Sequence, residues 1–141
     1  DGVGSDYGSP IVSLEKAVEF IRETGIDSFA PAIGTAHGMY KGTPHIHIDR
    51  VAEIVAAEPI PLVVHGGTGL ADAVFKELIA RGAPKINIST QLKIVYADSY
   101  REYLNAHPAE YDPLKLLEAV REDVIRMAVQ FIGVFGSEGK A

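Results

Sequence analysis

The sequence predicts an α/β fold in which short apolar strands alternate with amphipathic helices. Apolar residues recur at helical spacing in five segments, three apolar runs lie between these segments, and a glycine-rich or polar motif follows each run. Because each helix returns the chain to the same end of the sheet, the strands are expected to be parallel.

The first helix and strand follow an opening loop. Residues 1–10 hold three glycines and show no apolar period, which is typical of a loop. Ser13 is placed to cap a helix and Gly25 to end it, so we predict a helix over 13–25. The mostly apolar segment 26–33 predicts a buried strand.

The alternation of helix and strand then recurs. Residues 49–57 carry one apolar face and end before the prolines that precede a strand at 62–64. A glycine loop leads into a helix at 71–81, which Gly82 is placed to terminate. A third strand is predicted at 85–88.

Two further helices complete the predicted elements. Ser89 and Thr90 are placed to cap a helix at 91–104. Asp112 precedes a proline at the start of the last helix, whose apolar face continues up to Gly133.

Three parallel strands fit a barrel better than an open sheet. A complete (β/α)8 barrel needs about 250 residues, so the chain is too short for one. Long helices follow the last strand, and the polar motifs lie after strand ends, on the face where barrels carry out chemistry. We therefore predict the C-terminal half of a TIM barrel. Residues 1–141 would be part of a single domain whose N-terminal half is absent from the chain.

Composition restricts the classes of ligand. The chain has no cysteine, so a metal ion would have to be bound by His, Asp or Glu, and its five histidines are the leading candidates. A net charge of -6 argues against a nucleic-acid or acidic-membrane surface. No apolar run reaches the roughly 18 residues of a membrane span, so a cytoplasmic protein is expected.

Two histidines lie in glycine-rich motifs at the ends of neighbouring strands. His37 stands in GTAHG at 34–38, and His65 begins HGGTG at 65–69. Neutral imidazoles at matching heights could share a metal ion. A catalytic zinc needs about three protein ligands, and no third candidate of similar context occurs. The alternative is that the two histidines are separate and that each is hydrogen-bonded within its own loop.

Two segments could bind an anion. The loop 66–69 precedes a helix, and residues 87–90 end a strand at the start of another helix. Exposed amides at two neighbouring helix N-termini favour phosphate, although tight turns and helix capping alone would explain the same residues. Lys85 begins its strand, so we expect it at the opposite end of the barrel, where it could not form a Schiff base with the ligand.

Three motifs in a fixed order carry a family resemblance. GTAHG at 34–38 is followed by MYKGTP at 39–44, then by HGGTG at 65–69 and KINIST at 85–90. This order and spacing resemble class II fructose-bisphosphate aldolases and the related tagatose-bisphosphate aldolases. The resemblance implies a (β/α)8 barrel with the motifs after strands six, seven and eight.

The resemblance also implies a role for each matching residue. His37 and His65 would be two of three zinc ligands, and zinc would act as a Lewis acid on the ketone oxygen. The third histidine and a catalytic aspartate would lie upstream of residue 1, and a monovalent cation is a second candidate cofactor. The dihydroxyacetone phosphate part of the substrate would be bound by Gly38, Lys41, Gly66, Gly67, Thr68, Asn87, Ile88, Ser89 and Thr90.

The expected reaction is the reversible, zinc-dependent cleavage of fructose 1,6-bisphosphate to dihydroxyacetone phosphate and glyceraldehyde 3-phosphate in glycolysis and gluconeogenesis. A tagatose-bisphosphate aldolase and a non-catalytic half barrel that binds sugar phosphates are the alternatives. The expected partners are the phosphorylated sugar, the missing N-terminal half of the barrel and further copies of the protein, with neither nucleic acid nor membrane.

Overall fold

The structure, a computed structural model, describes residues 11–140 as two compact units, which meet in sequence between Ile88 and Ser89. The predicted opening loop at 1–10 lies outside the described residues. The elements in chain order are α1 (Leu14–Thr24), α2 (Ile48–Ala57), β1 (Val63–Val64), α3 (Asp72–Ala80), β2 (Lys85–Ile86), α4 (Thr90–Ala106) and α5 (Pro113–Phe135).

The first unit contains a small parallel sheet. β1 pairs with β2 in parallel, with Val63 opposite Lys85 and Val64 opposite Ile86. A single parallel bridge joins Phe29 to Leu62, so the segment around Phe29 runs beside β1. The predicted parallel order of three neighbouring segments is therefore present.

The predicted strand at 26–33 is the main difference from expectation. This segment forms only isolated bridges, a parallel one at Phe29 and an antiparallel one between Ile33 and Ile11. Pro31 lies between the two bridged positions and has no N–H to donate to a ladder. The prediction of a continuous strand was wrong because it took apolar character alone as the criterion.

The core of the first unit lies between its helices and its sheet. Its largest fully buried side chains are those of Phe75, Ile33, Ile54, Leu62, Leu78, Val51 and Val64. α1 begins where it was predicted to, because the Ser13 Oγ accepts a hydrogen bond from the Lys16 amide at 3.3 Å. Gly25 ends it in the left-handed conformation at φ 61°.

The second unit consists of α4 packed against α5. Asp112 caps α5 by accepting a hydrogen bond from the Leu114 amide at 2.9 Å. The helix continues past the predicted end at Gly133 and stops at Gly136, which is left-handed at φ 67°. Gly133 has open space around it and stays helical, so the prediction chose the wrong glycine as the terminator.

Candidate metal and phosphate site

His37 and His65 lie next to each other at the ends of neighbouring segments. His65 directly follows β1, and His37 lies in the loop after Ile33. Their ring centroids are 5.5 Å apart, and the rings meet edge to face at 71°. With Zn–N bonds of roughly 2.0–2.1 Å, two imidazoles on one tetrahedral ion would have centroids about 5 Å apart. The structure thus brings the two predicted ligands to a separation that one ion could bridge.

The loops that carry the two histidines are in close backbone contact. A Cβ added to Gly66 would lie 2.3 Å from the carbonyl oxygen of Ala36. Ala36 precedes His37 and Gly66 follows His65, so this contact joins the immediate neighbours of the two rings. The absence of a side chain at Gly66 is what allows the loops to approach.

Tyr40 links the same two loops through its hydroxyl group. The hydroxyl donates to the Gly66 carbonyl oxygen at 2.6 Å and accepts from the Ala36 amide at 3.1 Å. Burial raises the pKa of Tyr40 above its usual value, and the bond from Ala36 opposes that effect. Sequence reasoning gave Tyr40 no separate role, although its place in the MYKGTP segment after the GTAHG motif was visible.

A chain of hydrogen bonds connects Lys85 to His65 through Asn87. The Lys85 ammonium donates to the Asn87 Oδ1 at 2.5 Å, and the Asn87 Nδ2 lies 3.1 Å from the His65 Nε2. Lys85 begins β2 as expected, but its side chain extends to Asn87 and so lies one residue away from His65 in this chain of contacts. Lys85 and Asn87 are two positions apart in an extended segment, so their side chains lie on the same face of it.

This chain bears on how His65 could bind a metal ion. An ammonium group can only donate, so Lys85 holds the Asn87 Oδ1 and leaves the amide nitrogen facing His65. The Nε2 of His65 is then the acceptor, and the proton of a neutral ring is on Nδ1. Metal binding at either ring nitrogen of His65 requires this hydrogen bond to change.

The HGGTG loop forms a turn before α3. The Leu70 amide donates to the Gly67 carbonyl oxygen at 3.2 Å, and Gly69, the third residue of the turn, has φ 88°, as in a type II turn. Thr68 is buried, with 3% of its surface exposed. Ala71, the residue after the turn, is the N-cap of α3, so the helix begins one residue later than predicted.

Gly67 and Ile88 are packed against each other. A Cβ added to Gly67 would lie 2.9 Å from the ring of Phe75 and 3.0 Å from the Cδ1 of Ile88. Two of the predicted substrate-binding residues therefore also have a packing role in the first unit.

The two helix N-termini differ as anion sites. The first turn of α3 contains Asp72, whose negative charge already complements the positive end of the helix. The first turn of α4 has no acidic residue, and its N-cap residue Ser89 makes no side-chain capping bond. Ser89 and Thr90 belong to the second unit, and their N-terminus is the better of the two for a phosphate group.

Gly38 ends the GTAHG motif, and Lys41 follows it three residues later. Lys41 is exposed and lines a cavity of about 490 Å³ together with Tyr40, Gly69 and Leu70. Gly38 has no atom within 4 Å of the place where a Cβ would be, so a ligand could approach its backbone. The structure places Lys41 near the HGGTG turn, as a phosphate contact would require.

A zinc or other divalent ion would find two protein ligands at this place. Within residues 11–140, no group of three or more His, Asp or Glu side chains is arranged to hold a metal ion. Neutral imidazole suits zinc, and the edge-to-face pair of His37 and His65 fits two of about three ligands of a catalytic site. The remaining ligand would have to come from outside the described residues.

The chain matches a known protein family over almost its whole length. A family profile described as fructose-bisphosphate aldolase class-II matches residues 1–140. The chain belongs to the class II fructose-bisphosphate aldolase family, whose members are in general metal-dependent. The resemblance predicted from the three motifs is thereby confirmed.

Individual relatives match nearly the whole chain. A fructose-bisphosphate aldolase of Staphylococcus epidermidis is 40% identical over 98% of the chain and 47% of its own length. A sulfofructosephosphate aldolase of Alkalicoccus urumqiensis is 40% identical over 93% of the chain and 46% of its own length. The chain spans about half the length of these curated relatives.

The fold agrees with that of a solved aldolase. The YdjI aldolase of Escherichia coli K12 superposes with a TM-score of 0.82 and 37% sequence identity, over 93% of this chain and 48% of its own. The structure thus has part of an α/β fold that its structural neighbours, which are TIM barrels, share. In the part of the chain that the structure describes, no helix combines the length and apolar character that crossing a bilayer would need.

Proposed function

We propose that this chain forms the C-terminal half of a zinc-dependent class II aldolase barrel, with its three segments as strands six to eight. The proposed reaction is the reversible cleavage of fructose 1,6-bisphosphate to dihydroxyacetone phosphate and glyceraldehyde 3-phosphate. The separation of 5.5 Å between the His37 and His65 rings carries the proposal, because it suits a shared ion. The open space beside Gly38 and the position of Lys41 at a cavity support binding of a phosphorylated sugar.

Each part of the site would have a separate task. His37 and His65 would hold the metal ion, which supplies Lewis-acid polarisation of the substrate ketone when bound. Asn87 would orient His65 before the metal ion binds. Its amide, once released from the ring, would then be available to a substrate hydroxyl. Lys41 would bind phosphate within the first unit, and the amides at the start of α4 are a separate predicted phosphate contact of the second unit. A monovalent cation is a further proposed cofactor.

The second candidate function differs in the substrate. The similarity of the Alkalicoccus urumqiensis relative, a sulfofructosephosphate aldolase, favours this activity as the alternative. Tagatose bisphosphate is a further candidate within the same reaction class. A non-catalytic half barrel that binds sugar phosphate is the competing function outside enzymes.

The proposed partner is the complementary half of the barrel. Several large apolar side chains of the second unit are exposed, including Leu114 at 67% and Val129 at 62%. Covering such surfaces is favourable, which supports packing against further polypeptide. A cytoplasmic location and a homo-oligomeric state are further predictions.

Reconstitution tests the proposed activity. The chain would be co-expressed with the part of the Staphylococcus epidermidis aldolase that it does not match, and cleavage of the three candidate sugar phosphates would be measured. We expect activity with fructose 1,6-bisphosphate that is lost with EDTA and restored by zinc. The H65N variant should be inactive, while H107N, a change on an exposed residue of the second unit, should match the wild type.

The outcomes separate the candidate functions. A complex that cleaves only sulfofructose phosphate would replace the first substrate by the second. A complex that binds sugar phosphate equally well with and without EDTA, and cleaves none of the three, would overturn the aldolase proposal in favour of a binding function.

A further inference from the structure

Tyr40 lies at the junction of the two loops that carry the histidine pair. Its hydroxyl group contacts the residue before His37 and the residue after His65, through the Ala36 amide at 3.1 Å and the Gly66 carbonyl oxygen at 2.6 Å. Both contacts are with backbone atoms, so they fix the loops themselves rather than a side-chain rotamer. A movement of either backbone would be passed to the adjacent imidazole.

The chemistry of these contacts requires a neutral hydroxyl group. One proton serves the Gly66 carbonyl oxygen while a lone pair accepts the Ala36 N–H, so the group acts as donor and acceptor together. Neither phenylalanine nor a tyrosinate could make both bonds. The half-buried position of Tyr40 limits competition from water for either partner.

The steric contact at Gly66 limits the opposite movement, the approach of the two loops. The space for a Cβ at Gly66 is filled by Ala36 backbone atoms, at 2.3 Å to the oxygen and 2.6 Å to the carbon. The loops therefore cannot come closer together, and the Tyr40 hydroxyl group opposes their separation. Because the steric contact prevents closer approach and the hydrogen bonds oppose separation, the distance between the two loops is fixed.

We propose that Tyr40 is a positioning residue whose hydroxyl group clamps the two loops and thereby sets the distance between His37 and His65. The proposal rests on the proposed function in so far as that distance serves metal binding. Tyr40 also lines the cavity that Lys41 lines, so the clamp connects the histidine pair with the cavity proposed to bind phosphate.

The test compares Y40F with Y96F in the full chain. Y40F removes only the clamping oxygen, and Y96F removes a hydroxyl group that pairs with Tyr100 in the second unit. Hydrogen exchange at the Ala36 amide measures the clamp without metal, and exchange at the Val63 amide, which bonds to the Phe29 carbonyl oxygen, reports the sheet. Zinc affinity is measured by competition with a chelating dye.

For Y40F we expect exchange at Ala36 to accelerate about fivefold to tenfold, with Val63 unchanged. Zinc affinity should fall roughly 10–100-fold, the range found when a partner outside the ligand shell is lost. Y96F should change neither quantity.

Three results would overturn the clamp. They are unchanged exchange at Ala36, equal acceleration at Ala36 and Val63, which would mean general destabilisation, and faster exchange at Ala36 with wild-type zinc affinity. Failure of the wild-type chain and its complex to bind zinc, with exchange at Ala36 still selectively faster in Y40F, would instead count against the proposed function and leave the loop clamp standing.

Discussion

The substitution Gly66→Ala tests whether backbone contact between the loops sets the site. The new Cβ would lie 2.3 Å from the Ala36 carbonyl oxygen, whereas real Cβ atoms keep at least 3.0 Å. The loops must therefore separate by roughly 0.7 Å before the contact is tolerated. All three of the nearest atoms belong to the Ala36 backbone, so no flexible side chain can absorb the change.

Two costs add in this variant. Gly66 has φ 69°, and an L-residue with a side chain loses about 1–2 kcal/mol in the left-handed region. Overpacking against backbone adds about 1–3 kcal/mol. We expect the free energy of unfolding to fall by about 2–5 kcal/mol, and a displacement above about 0.5 Å is enough to impair a metal site.

Gly69→Ala is the matched control for the steric part. Gly69 lies in the same loop with φ 88°, but its added Cβ would meet only the Tyr40 ring at 3.7 Å, an ordinary contact. This variant carries the backbone strain without the clash. Urea unfolding gives the stability of each variant, and dye competition gives zinc affinity. We expect G66A to lose at least about tenfold more affinity than G69A.

Equal effects of the two substitutions would refute the reasoning. If G66A and G69A lost the same stability and the same zinc affinity, the close approach of Gly66 to Ala36 would have no influence on the histidine pair. The distance between the rings would then have to be maintained by other contacts.

The remaining predictions concern the ligands and their partners. Replacing His37 or His65 by asparagine should weaken zinc binding by at least about 100-fold in the dye assay; a smaller change would exclude that residue as a ligand. K85M should raise zinc affinity about fivefold, because it removes a positive charge and frees the Asn87 amide to turn its oxygen towards the ring, whereas K76M on α3 should not. The pKa of Tyr40 is raised from 10.0, so its stabilisation is fully present below that pH and is lost as the pH rises through the higher folded-state value. The difference in melting temperature between wild type and Y40F should therefore shrink above pH 10, and a constant difference would contradict it.

Local signals predicted most of the fold. α1 begins after Ser13 and ends before Gly25, as predicted, because capping depends on a few neighbouring residues. The segment 26–33 was misjudged because its pairing depends on Pro31 and on partners distant in sequence. The end of α5 was misplaced because two glycines three positions apart both qualified, and only the backbone conformation distinguishes them.

The candidate site was predictable in its residues and less so in its contacts. The sequence placed two histidines in glycine-rich motifs after predicted strands and left open whether they meet, and the structure brings their rings to 5.5 Å. The reach of the Lys85 side chain to Asn87 was not foreseen, because position along a strand fixes the Cα and leaves about four carbon atoms of side chain free to extend. The bonds of Tyr40 depend on two loops meeting in space, and no local pattern encodes that.

The glycines of the two motifs can be sorted by the space around them. Gly66 and Gly67 have no room for a Cβ, because the backbone of Ala36 and the ring of Phe75 fill it. Packing alone therefore accounts for glycine at these two positions, whether or not a ligand binds there. Gly38 has nothing within 4 Å, but its φ of 96° lies in the left-handed region, so backbone conformation rather than packing accounts for glycine at this position. Among the three glycines predicted to bind substrate, Gly38 is thus the one with open space beside its backbone, and substrate contact there stays a prediction.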